Sequence, residues 1–262
     1  MELSYVLAGA LTGFLVGLTG VGGGSLMTPL LVLLFGVAPQ AAVGTDLWFA
    51  AGTKLVASRL HHSKGLVDWP VVKRLWLGSL TCATLTLLWM HGTPVSASTG
   101  QGLTTAIAWA LLVSSLGILF QERLHALGRY FRLHDAPHFK AWQGPLTVLA
   151  GAVLGVLVTL TSVGAGAIGA VFLAYLYPLR LTTPRLVATD IVHAIPLALF
   201  AGIGHLWLGH VEFGLLFNLW LGSVPGVLLG VRWSTRWPQG RVRHLLALVL
   251  VLIGAKLLWQ AA

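Results

Sequence analysis

Acidic residues are nearly missing from this chain, with seven Asp and Glu against 16 Lys and Arg in 262 residues. Charged residues of both signs make up only 9%, where a soluble domain carries roughly 25%. That scarcity excludes a water-soluble globular fold. The single cysteine, Cys82, excludes an intrachain disulfide. Neither His-Glu-x-x-His nor Gly-x-Ser-x-Gly occurs, so the motifs that would place a zinc-activated water or an activated serine are missing. His61, His62, His205 and His210 have no carboxylate or cysteine at ligand spacing, so no metal and no cofactor is expected. Met1-Glu2-Leu3-Ser4 lacks the basic start of a cleaved signal peptide, and the first apolar run is expected to be retained.

What is present is apolar: 56% hydrophobic residues and a mean hydropathy of +0.86. A bilayer core about 30 Å thick is crossed by roughly 20 residues of helix. Apolar segments fall near 4–19, 25–36, 40–60, 70–91 and 98–120, then near 145–161, 167–178, 184–205, 211–231 and 242–260. The expected organisation is a first repeat (1–120), a basic connector (121–144) and a second repeat (145–262). The net charge of +9 does not read as a nucleic-acid footprint, because most Lys and Arg sit in short loops where they set orientation. Most of the 11 tryptophans lie near segment ends, as interface anchors against membrane lipids do.

The halves resemble each other. Leu75-Trp-Leu-Gly-Ser79 recurs as Leu219-Trp-Leu-Gly-Ser223, a shift of 144. The same shift superposes Thr45-Asp46 on Thr189-Asp190 and Asp68 on Glu212. In the opening segments the shift is 142, carrying Gly9, Gly13, Gly22 and Gly24 onto Gly151, Gly155, Gly164 and Gly166. Basic residues flank the loop between the third and fourth segments of the first half (Arg59, Lys64, Lys73, Arg74) and avoid its counterpart around 205–212. Corresponding loops therefore lie on opposite sides, which makes the repeats inverted. The connector with Arg123, Arg129, Arg132 and Lys140 is then cytoplasmic, and both termini are outside. The expected fold is all-α and integral to the membrane, about five helical segments per repeat.

Gly20-Val-Gly-Gly-Gly-Ser25 and Thr161-Ser-Val-Gly-Ala-Gly-Ala167 interrupt two of these segments at matching positions. In lipid, broken backbone is tolerated only where protein or a cavity covers it. A helix that begins at mid-membrane points unpaired N–H groups and a partial positive charge at whatever faces it, a ready anion site. Close helix packing by small residues is the other reading. The short helices after the breaks are expected to meet near mid-membrane. Candidate binding residues are Gly22, Gly23, Gly24 and Ser25 in the first break and Gly164, Ala165 and Gly166 in the second. Thr45, Thr189 and Lys54 complete that set. Buried carboxylates are costly and functional by default. Asp46 and Asp190 either load and release protons, with His193 as a further carrier, or accept backbone N–H bonds that hold a broken helix. Lys54, opposite Ala198 in the repeat, meets an anionic substrate, pairs with Asp46, or snorkels inward.

The run Gly20-Val-Gly-Gly-Gly-Ser-Leu-Met-Thr-Pro-Leu-Leu31, then Ala42-Val-Gly-Thr-Asp46 and Gly65-Leu-Val-Asp-Trp69, resembles the TauE/SafE sulfite exporter family. Val163-Gly-Ala-Gly-Ala167 and Ala188-Thr-Asp190 fit the same pattern. The resemblance spans essentially the whole chain. It implies a multi-pass inner-membrane permease for a small sulfur-containing anion such as sulfite or an organosulfonate, and no enzyme. The expected mechanism is proton-coupled alternating access; a passive anion channel is the alternative, and an intramembrane enzyme a more distant one. The partners implied are a small anion and membrane lipids, with a homo-oligomer left open and no nucleic acid.

Overall fold

A computed structural model describes residues 3–19, 24–60, 65–93, 97–134, 136–164, 166–234 and 239–261. The described residues form helices and no strands. In chain order these are α1 (Leu3–Thr19), α2 (Gly24–Phe35), α3 (Pro39–Leu60), α4 (Trp69–Gly92) and α5 (Ala97–His134). They are followed by α6 (Ala136–Thr161), α7 (Ala167–Leu176), α8 (Thr183–Trp207), α9 (Phe213–Ser234) and α10 (Gln239–Ala261). Five of them (α4, α5, α6, α8 and α9) contain stretches long and apolar enough to cross a membrane.

Two helices fall well short. With 12 and 10 residues, α2 and α7 reach about 18 and 15 Å at 1.5 Å per residue, about half the bilayer core. Each follows a glycine-rich break. The connector is no loop: α5 runs on to His134 and α6 starts at Ala136, so residues 121–144 are mostly extensions of those two helices. Pro145, expected near the start of a segment, sits inside α6.

The duplication seen in the sequence returns as packing. Helix α1 lies along α9, and α6 lies along α4. A Cβ on Gly9 would run into the Leu219 carbonyl, and one on Gly151 into the Leu75 carbonyl. Gly13 meets Ser223 as Gly155 meets Ser79. Lipid gives no hydrophobic drive for helices to associate, so close backbone approach through small residues supplies the contact. Helices α3 and α8 pack against each other at the centre, as do α5 and α10.

Hydrogen bonds repeat in the same crossed way. The Asp68 N–H donates to Thr189 Oγ1 at 3.1 Å, and the Glu212 N–H donates to Thr45 Oγ1 at 3.1 Å. Each bond ties the start of one half's fourth helix to the third helix of the other half. The halves diverge in what surrounds these bonds. Asp68 is buried and takes a bidentate pair from Arg180, Nε to Oδ2 at 2.5 Å and Nη2 to Oδ1 at 2.8 Å. It also caps α4 through the Val71 N–H at 3.4 Å. Glu212 is exposed, and the residue 144 places before Arg180 is Gly36.

Large apolar side chains face outward along the helices, among them Leu7, Leu77, Leu88, Leu149, Phe217 and Leu252. In water that surface would be a liability. In lipid it is the expected exterior.

Candidate functional site

The core of this protein is polar where α3 and α8 meet. Asp46, Lys54, Asp190 and His193 are all buried there, each at most 4% exposed. Helix periodicity gives the reason on α3: Asp46 and Lys54 are eight residues apart, slightly over two turns, and project from one face.

Asp46 faces the beginning of α2. Its Oδ2 accepts the Thr28 N–H at 3.1 Å and the Thr28 hydroxyl at 2.6 Å. A helix start leaves amides without intrahelical partners, and this carboxylate covers one of them. The other half also reaches it. Ser162 adopts a left-handed φ of 56°, which brings its hydroxyl beside the Asp46 carboxylate. Neither Ser162 Oγ nor Asp46 Oδ1 completes a hydrogen bond.

Asp190 has different surroundings. Its Oδ1 lies against Gly169 of α7, in the space a Cβ would fill, and takes no hydrogen bond. Only a glycine leaves room for it. Lys54 lies within electrostatic reach of both carboxylates. Two buried carboxylates and one buried ammonium thus occupy the same region. A bare buried charge is expensive, so the surplus negative charge of this cluster invites either a proton or a rearrangement.

His193, one turn beyond Asp190, sits with Nε2 3.0 Å from Ser79 Oγ of α4 and leaves Nδ1 without a partner. Lys54 of α3 lies within electrostatic reach of this ring. Pro196 removes an amide from the ladder of α8. Nearby, the Trp76 indole donates to the His193 carbonyl at 3.2 Å, and Trp48 donates to Gly202 O at 3.0 Å.

The second break is built around left-handed backbone. Gly164 and Gly166 have φ of 116° and 130°, which side chains rarely adopt. Gly164 O accepts the Ile168 and Gly169 N–H groups, both at 3.2 Å, which starts α7. Thr161 Oγ1 accepts the Val163 N–H at 3.1 Å and bridges the turn before it. In the first break, Gly24 opens α2. Gly22, Gly23 and Ala165 lie outside the described residues, as does the side chain of Ser25.

Of the residues singled out from sequence, the fold therefore brings Asp46, Lys54, Asp190 and His193 into one cluster. Thr45 and Thr189 are buried, and their oxygens are engaged by the Glu212 and Asp68 amides. Thr28, Ser79, Ser162 and Gly169 join the cluster without having been picked out. Thr28 and Ser162 each adjoin a glycine break, and Ser79 closes a repeated motif; those were the available signals.

The model for the family described as sulfite exporter TauE/SafE matches residues 5–257. The chain belongs to the TauE/SafE family. It is 36% identical over 98% of its length to a probable membrane transporter protein, YjnA, of Bacillus subtilis (strain 168), all of which is covered. YdhB of the same organism, likewise named a probable membrane transporter protein, is 27% identical over 97% of this chain and 99% of its own. A probable membrane transporter protein of Xylella fastidiosa (strain 9a5c) is 24% identical over 97% and 94%. No solved structure matches significantly. The chain is thus a multi-pass membrane transporter of the TauE/SafE family, and the buried polar cluster is its candidate site.

Proposed function

We propose that this TauE/SafE protein moves a small sulfur-containing oxyanion, sulfite or an organosulfonate, across the inner membrane by alternating access with proton coupling. The observation that carries the reading is the burial of Lys54, Asp46 and Asp190 together where α3 and α8 pack, beside the second glycine break. An arriving anion competes with those carboxylates for the ammonium. The carboxylate it displaces then needs a proton, so anion occupancy and proton uptake are tied by charge balance alone. Backbone amides at the glycine breaks, including Gly22–Gly24 and Gly164–Gly166, supply further donors to the oxyanion. Ser25, Thr45 and Thr189 contribute hydroxyls, and His193 stands as a second proton carrier.

The crossed and repeated contacts of the halves agree with a paired-repeat fold, and the basic residues of the loops favour an inverted pair with the connector in the cytoplasm and both termini outside. In that geometry, rocking one repeat against the other opens the site to each side in turn. No chemistry on the substrate enters the cycle.

Transport into proteoliposomes tests this. Radiolabelled sulfite or sulfoacetate should accumulate against its gradient, collapse with an uncoupler, and fail to enter with Lys54→Ala. Flux that persists in the uncoupler at its full extent identifies a passive channel instead. Flux unchanged by Lys54→Ala sinks the proposed site.

A further inference from the structure

A cleft of about 490 Å³ opens at the connector end of the molecule. Glu122 and His125 on α5, Ala170 on α7, and Leu186 and Val187 on α8 line it, with Leu181 just before α8. Two of its walls adjoin the surroundings of one particular carboxylate. Leu186 and Val187 lie four and three residues before Asp190, one helical turn. Ala170 follows Gly169, against which the unpartnered Asp190 Oδ1 is pressed. Asp46 has no such approach from this cleft, and its Oδ2 is held by Thr28.

The geometry points to a division of labour between the duplicated carboxylates: Asp190 exchanges protons with water in this cleft, and Asp46 anchors α2. The inference rests on the transport reading above and assigns one half of it. The exchange balances in charge. When the Asp190 proton leaves for cleft water, the carboxylate left behind is matched by the Lys54 ammonium. When an anion draws Lys54 away, Asp190 takes a proton back from the same water. The titratable group that faces Asp190 is Lys54 from α3, and His193 follows one turn later on α8. Helix α7 offers Gly169, and α4 brings Ser79 to His193 and Asp68 to the neighbouring Thr189. On α7, Ala170 of the cleft and Gly169 beside the carboxylate are consecutive residues.

Two substrate-free measurements test the route. In a Cys82→Ser background, Val187→Cys should react with a membrane-impermeant maleimide in inside-out vesicles and not in right-side-out ones, with Leu179→Cys at the exposed loop as the positive control. Dicyclohexylcarbodiimide, which attacks protonated buried carboxyls, should modify Asp190 and spare Asp46 in the wild-type protein, as read by peptide mass. A third measurement uses sulfite. Asp46→Asn, however slowed, should keep the wild-type number of protons per anion, and Asp190→Asn should lose proton movement altogether. Labelling of Val187→Cys only from the opposite side, or of neither vesicle type while Leu179→Cys reacts, overturns the route. So does carbodiimide at Asp46 in place of Asp190. If both substrate-free results appear and the wild type moves no sulfite, the route stands and the substrate assignment is what fails.

Discussion

The two halves of this transporter share a skeleton and differ in chemistry. Gly13 meets Ser223 as Gly155 meets Ser79, and Thr45 receives the Glu212 amide as Thr189 receives that of Asp68. These contacts are made by backbone atoms, small residues and one hydroxyl each, and they have been kept in both copies. The acidic positions Asp46/Asp190 and Asp68/Glu212 are kept as well, while several other side chains that carry charge or titrate are not. Lys54 faces the repeat position of Ala198, His193 that of Phe49, and Arg180 that of Gly36. A duplicated frame with unlike contents is what an asymmetric task requires. A single ammonium, with Ala198 at its repeat position, makes the surroundings of the two carboxylates unlike.

The largest effect should come from breaking the shared frame. Gly13→Leu and Gly155→Leu each drive a side chain into a neighbouring backbone carbonyl that cannot turn aside, so the cost should go well beyond the roughly 1–3 kcal/mol of ordinary overpacking and part the two helices. Both should reduce the yield of folded protein in detergent to a similar degree, as read by size-exclusion profile. A large difference between them would break the equivalence of the α1–α9 and α6–α4 contacts.

Next is the asymmetric charge. Lys54→Ala should abolish transport and lower thermal stability, because removing one partner of a buried ionic cluster typically costs about 3–5 kcal/mol. Adding Asp190→Asn should recover part of the stability and none of the transport. If the double variant is no more stable than Lys54→Ala, the lysine and Asp190 are not coupled.

Arg180→Ala should have a smaller effect. It strips the guanidinium from buried Asp68, but Arg180 is itself 49% exposed, which weakens the pair through solvent screening. A loss of about 1–2 kcal/mol in a detergent unfolding curve is expected. Glu212→Gln, at the matching place in the other half, should be silent.

Thr45→Val and Thr189→Val should each cost about 1 kcal/mol, the worth of one hydrogen bond. Unequal costs would show that the crossed bonds are alike in geometry only.

The smallest effect is one of pH. Burial holds His210, in the loop between α8 and α9, below its ordinary 6.5. The folded form therefore binds fewer protons than the unfolded form between that lowered value and 6.5. Stability from this group is fully present above 6.5 and is lost as pH falls through the lowered value. His210→Gln should flatten the acid side of the unfolding profile slightly. An unchanged profile would remove His210 from the balance.

How far the sequence carried this account depends on the distance over which each feature is encoded. The helices α2 and α7 were legible because a glycine-rich break precedes each short apolar stretch, and local composition alone marks them. The ends of α5 and α6 were not. Residues 121–144 look like a polar connector, and a helix leaving the membrane for water loses the apolar signal without losing its hydrogen bonds. Asp46, Lys54, Asp190 and His193 stood out because charge in an apolar run is rare. Their arrangement did not follow. Pairing of Lys54 with Asp46 was the open reading within one helix, and the fold also brings it within reach of Asp190, 136 residues away in the other half. Thr28 and Ser162 were passed over because a lone hydroxyl in an apolar helix resembles filler until its acceptor is known. The ion pair of Asp68 with Arg180 joins loops 112 residues apart, and no local pattern announces it.

The account turns on Lys54 as the cation that an incoming anion takes from two carboxylates. Its most direct test is proton movement during the uptake of sulfoacetate, whose charge does not change near neutral pH, into proteoliposomes carrying an internal pH dye. The account predicts a proton signal that appears with the anion, scales with its flux and vanishes in Lys54→Ala. Anion uptake by the wild type with no proton signal, or an intact signal in Lys54→Ala, would contradict it.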